Sequence, residues 1–108
     1  MNADQYQQLA LRTLAAGLDA RERLINAALG LSGEAGEFAD TVKKHLFYGH
    51  PLEREELLKE VGDILWYAAL ACDALDASLG AVMAANIEKL RRRYPEGFSS
   101  ERSQQRSE

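Results

Sequence analysis

Apolar positions along the chain recur at intervals of three and four, and no alternating pattern of any length suggests a half-buried strand. One repeating set is Leu24, Ala28, Leu31, Ala35, Phe38 and Val42. A second is Leu57, Val61, Ile64, Leu65, Ala68, Cys72 and Leu75, and a third is Leu79, Met83, Ile87 and Leu90. This spacing puts each set on one face of a helix. Boundary residues divide the pattern. Asn2 with Gln5 and Asp19 with Glu22 read as N-caps with their partners three positions on. They open one helix to about Ala16, stopped by Gly17, and a longer one to about Phe47. Gly49-His50-Pro51 is a break, and Pro51 suits the first turn of a third helix, with Glu53, Glu55 and Glu56 near its N-terminal dipole. That helix runs to about Leu75. Ser78 caps a fourth, which ends at Tyr94-Pro95. The pattern predicts an all-α, four-helix, bundle-like domain over residues 1–98, followed by a flexible polar tail, 99–108.

Length and composition narrow this further. A chain of 108 residues fits one domain, and 46% apolar residues exclude wholesale disorder. No run approaches the ~18–20 apolar residues of a membrane span, so no membrane association is expected. The first residues lack the basic start and apolar run of a secretory signal. A single cysteine, Cys72, excludes an intramolecular disulfide and fits a reducing compartment, so a cytoplasmic location is expected. One Cys and two His also argue against structural zinc. A net charge of −4 argues against a nucleic-acid polymer as partner. Ala and Gly allow the helices to approach closely. The apolar content exceeds what one small bundle buries, which predicts a homo-oligomer, a dimer or a tetramer.

The chemistry is carried by carboxylates. Glu34-Ala35-Gly36-Glu37 and Glu60-Val61-Gly62-Asp63 each place two acids at i and i+3 around a small residue and a glycine. Residues three apart are neighbours on a helix, and both pairs fall at the edge of an apolar stripe. The helices that bear them are joined by a short break and should pack antiparallel, so the four acids can converge. Two like charges ~4 Å apart repel by ~4 kcal/mol at an effective dielectric of 20. Four would offset much of a small domain's ~5–15 kcal/mol stability unless protons or a cation relieve them. An all-oxygen ligand set suits a hard ion, Mg²⁺ or Mn²⁺. The plainer alternative is a pair of solvated acidic helix faces.

The ordered set resembles the MazG-like nucleoside triphosphate pyrophosphohydrolases, an all-α superfamily. Its pattern of ExxE, a spacer and ExxD is matched by Glu34-x-x-Glu37, 22 residues, and Glu60-x-x-Asp63. The likeness extends from Gly30-Leu31-Ser32-Gly33, through Gly62-Asp63-Ile64-Leu65-Trp66-Tyr67, to Asn86-x-x-Lys89-Leu90-x-x-Arg93-Tyr94-Pro95-x-Gly97-Phe98. The resemblance implies an Mg²⁺-dependent enzyme that cleaves a nucleoside triphosphate between the α and β phosphates, in nucleotide-pool housekeeping. Glu34, Glu37, Glu60 and Asp63 would then hold the metal, with Glu34 or Glu37 deprotonating the attacking water. Two alternatives stand beside it. One is a superfamily relative restricted to dUTP, dCTP or phosphoribosyl-ATP. The other is a non-catalytic helical oligomerisation or regulatory module that uses the acids for metal-dependent assembly.

A triphosphate also needs cationic donors. Lys44, two turns beyond Glu37, shares its face, whereas Lys43 points ~100° away. By resemblance Asn86, Lys89 and Arg93 also reach the nucleotide; otherwise they belong to a helix C-terminus whose dipole favours cations. Trp66 and Tyr67 could stack on a base, though core or subunit packing is the first expectation. Glu56 reads as a solvated first-turn acid. His45 and His50 border the break without an assigned role, and Cys72 reads as a small core residue. Gly30, Gly33 and Gly36 do not have phosphate-loop spacing and suggest close helix packing instead.

Overall fold

The computed structural model describes residues 1–106. Five helices and no strand occur among them: α1 (Ala3–Leu11), α2 (Ala20–Tyr48), α3 (Arg54–Ala74), α4 (Leu79–Arg93) and α5 (Ser100–Gln104). The all-α class is as expected. The expected caps form: Asn2 and Asp19 each close a full capping box, and Ser78 accepts from the Ala81 amide. Gly49 ends α2 in the left-handed conformation, φ 75°.

Three boundaries differ from expectation. α3 begins at Arg54 behind Glu53, so Pro51 lies in the connecting loop rather than in the first turn. The tail is not without structure, because Ser99 caps the short α5, and Arg102 Nε donates to the Arg93 carbonyl at the end of α4, 2.8 Å. Residues 107–108 of that tail lie outside the described residues. Finally, α1 stops at Leu11 instead of Ala16. The Ala10 carbonyl, which would accept from Leu14 in a continuing helix, is taken by Trp66 Nε1 (3.0 Å) and the Thr13 hydroxyl (2.7 Å). The Leu14 amide turns back to Leu11 instead. A tertiary contact overrides the local helical preference.

α2 and α3 form the main antiparallel hairpin. Arg23 pairs with Asp73 (3.1 Å), Gly30 lies under the Tyr67 ring, and Glu34 approaches Glu60, so facing numbers rise on one helix as they fall on the other. A Cβ at Gly30 would collide with that ring, which explains this glycine by close helix approach. Gly33 and Gly36 meet nothing, so close packing does not account for them within one protomer.

α1 lies across the C-terminal half of α3 and holds the start of α4. Ala69, Cys72 and Leu79 form a small core there, covered by Ala3, Tyr6 and Ala77. Buried Gln7 stitches the three helices together. Its amide donates to the Ala69 and Ala77 carbonyls (3.1 and 3.3 Å), and its oxygen accepts from the Leu79 amide (2.9 Å). Asp4 likewise accepts from the Gly80 amide, 2.8 Å.

α4 then turns 99° away from α3. Its expected core stripe is covered only at Leu79, while Met83 and Ile87 are 52% and 46% exposed. The chain is correspondingly open. Its radius of gyration is 16.9 Å, against about 13 Å for a compact domain of this length. Its surface is 7914 Å², against roughly 6,000 Å² for a compact monomer of this mass. Among the described residues no single helix is long and apolar enough to cross a membrane.

Candidate metal and active site

The hairpin register brings the acids of α2 to those of α3. Glu34, Glu37 and Glu60 each place a carboxylate oxygen within 4.8 Å of the other two. Glu34 and Glu60 are half-buried, whereas Glu37 faces solvent. Asp63 stands outside this tight group but shares a cleft of about 400 Å³ with Glu34, Thr13, Trp66 and Tyr67.

The electrostatics follow from this geometry. Glu34 Oε2 and Glu60 Oε2 are both buried without a hydrogen-bond donor. Two carboxylates only accept, so they can bond to each other only if one is protonated. That hydrogen bond to Glu60 is the main cause that pushes the Glu34 carboxyl from 4.5 up to about 7. Burial and the charges of Glu37, Glu60 and Asp63 push the same way. The alternative relief is a cation. Clustered oxygens alone, two of them buried and lacking a donor, are the donor set a hard divalent ion accepts. Glu34, Glu37 and Glu60 could hold such an ion, with Asp63 at its flank.

The cationic residues are placed differently. Lys44 Nζ pairs with Asp40 on its own helix, 2.9 Å, and Lys43 approaches the same carboxylate at 3.6 Å. Asn86, Lys89 and Arg93 lie on the part of α4 that has turned away from α3. With a helical rise of about 1.5 Å per residue, that turn leaves Lys89 and Asp63 on the order of 20 Å apart within one protomer. The structure thus gathers the acids and not these donors.

Trp66 and Tyr67 pack edge to face, centroids 5.0 Å apart, and both line the cleft instead of filling a closed core. Glu56 forms an exposed pair with Lys59, as a solvated acid should. His45 Nδ1 lies 2.8 Å from the His50 carbonyl and ties the break together. Cys72 is buried, and burial raises its thiol pKa.

Two residues near the acids went unnoticed in the sequence, Tyr6 and Thr13. Burial, and then the charge of Asp63, pushes the Tyr6 phenol above its usual value. Thr13 joins the cleft wall through Trp66 Nε1, 3.0 Å from its hydroxyl. Neither belongs to a recognisable motif, and each meets α3 from more than fifty residues away, so no local signal marks them.

Comparison with known proteins places this geometry in a family context. Residues 23–98 match the family described as MazG nucleotide pyrophosphohydrolase domain. The chain is 37% identical over 105 residues to the Gene 37 protein of Mycobacterium phage L5, an alignment covering 90% of this chain and 92% of the phage protein. No solved structure matches the chain significantly.

Proposed function

The chain belongs to the MazG nucleotide pyrophosphohydrolase family, and on that premise we propose that it hydrolyses nucleoside triphosphates to monophosphate and pyrophosphate, in nucleotide-pool housekeeping. The observation that carries this reading is the pair of buried, donorless oxygens of Glu34 and Glu60, with Glu37 beside them. Glu34, Glu37, Glu60 and Asp63 would hold Mg²⁺, or Mn²⁺ in its place. Bound there, the ion supplies charge neutralisation for the phosphates. Glu34 or Glu37 would take the proton from the attacking water, whichever of the two the ion leaves less fully engaged. Lys44 would exchange its Asp40 carboxylate for a phosphate oxygen, a charge-assisted partner of the same kind.

The enzyme in this reading is a cytoplasmic homodimer or homotetramer. The roughly 1,900 Å² of surface beyond that of a compact monomer is on the scale that stable subunit interfaces bury. Its apolar part includes Met83 and Ile87 of α4. A second copy packed there would bring its own α4, with Asn86, Lys89 and Arg93, towards the acids of the first. The test is a panel of NTPs and dNTPs with Mg²⁺. Monophosphate and pyrophosphate are the expected products; diphosphate and orthophosphate as the main products would overturn the cleavage assignment.

A further inference from the structure

The cleft beside the acids has a wall from outside the matched family region. Residues 23–98 carry the match, yet the lining includes Thr13, from the turn that ends α1. Its lining combines two acids, Glu34 and Asp63, with two aromatic residues, Trp66 and Tyr67, and Thr13. Acids and aromatic residues lining one cleft suit the two halves of a nucleotide. About 400 Å³ lies within the range of small-ligand clefts.

The bonding of Thr13 defines what it can still offer. A hydroxyl has one donor and two acceptor sites. Its proton goes to the Ala10 carbonyl, 2.7 Å. One lone pair accepts from Trp66 Nε1, 3.0 Å. The indole N–H is itself shared between Thr13 and Ala10, so Trp66 presents only its ring to a ligand. One acceptor site remains at Thr13, on a solvent-facing side chain that lines the cleft.

We propose that Thr13 is a specificity-determining residue of this chain, accepting a hydrogen bond from an N–H or O–H donor on the nucleoside half of the substrate while Trp66 presents its ring beside it. The donor is an exocyclic amino group of the base or a hydroxyl of the sugar. A ligand that puts a carbonyl oxygen at that point faces acceptor against acceptor and binds less well. The assignment rests on the nucleotide reading of the acids and adds to it the chemistry that selects the nucleoside.

Trp66 is the single tryptophan, so its emission reports on this wall directly. The experiment titrates wild type, Thr13→Val and Thr13→Ser with hydrolysis-resistant α,β-methylene triphosphates in Mg²⁺. The cytidine and uridine analogues differ at the amino group, the ribo and deoxy forms at the 2′-hydroxyl, and the deoxy and dideoxy forms at the 3′-hydroxyl. The expected result is a Trp66 response and, in wild type, binding about 3- to 10-fold weaker when one of these donors is removed. Thr13→Val should lose that preference, and Thr13→Ser should keep it. Undiminished preference in Thr13→Val, equal weakening for every analogue, or a silent Trp66 in a protein that does bind or hydrolyse triphosphates would overturn the assignment alone. A wild-type protein that neither binds the analogues nor releases pyrophosphate would overturn the nucleotide reading as well.

Discussion

Two polar regions of this protein lie less than one helix length apart on α3 and are built in opposite ways. At the α1–α3–α4 junction buried Gln7 has both donors bonded to carbonyls and its oxygen bonded to an amide. At the acid face buried oxygens of Glu34 and Glu60 meet no donor. A satisfied buried amide fixes three helices in one arrangement. An unsatisfied pair of acids costs stability and waits for a proton or a cation. The first region is organised for the fold and the second, in the proposed function, for a ligand, and substitutions should separate them.

The largest expected effect is on activity. Glu60→Gln keeps the size of the side chain and removes a ligand charge, so turnover should fall on the order of 100-fold or more. The metal-free protein should be as stable as wild type or more so, because a like-charge repulsion is gone. Retained activity in a folded Glu60→Gln protein would remove this acid from the site.

Gln7→Ala should act the other way, on stability first. It leaves the Leu79 amide without its buried acceptor and takes one bond each from the Ala69 and Ala77 carbonyls, at a cost of about 1–3 kcal/mol. Urea denaturation measures this directly, and a loss below ~0.5 kcal/mol would mean that water replaces the stitch without penalty.

The smallest effect is a slope with pH. Folded Glu34 keeps its proton up to about 7, while an unfolded glutamate loses it near 4.5. Between these values the folded form binds more protons, so the stability of the metal-free protein should fall as pH rises from about 4.5 to 7 and level off above. Cation binding expels that proton, so affinity should rise over the same window. Melting in chelator at several pH values checks this, and Glu34→Gln should flatten the slope.

How much of this was legible in the sequence depended on range. The capping boxes of α1 and α2 lie within four consecutive residues and form as read. The acid pairs were legible because each repeats one spacing, and the short α2–α3 break makes the antiparallel hairpin in which Glu34 and Glu60 meet. The early end of α1 was not legible, because Trp66 captures the Ala10 carbonyl across fifty-six residues. The α4 stripe was read correctly as one apolar face, but periodicity does not say what covers a face. Among the described residues Met83 and Ile87 stay 52% and 46% exposed. Asn86, Lys89 and Arg93 share that helix, and their distance from the acids follows from a 99° turn with no local signature beyond Asp76, which takes the left-handed conformation at φ 57°.

The central claim is that the donorless oxygens of Glu34 and Glu60 form a divalent-cation site, and Mg²⁺-dependent melting tests it most directly. An ion that binds only the folded protein adds roughly 2.7 kcal/mol at 100 times its Kd, a rise in Tm on the order of 10 °C for a domain of this length. Wild type should show that rise at neutral pH, and Glu60→Gln should lose most of it while melting no lower than wild type in chelator. Equal Mg²⁺ shifts in the two proteins, or none in either, would contradict the claim.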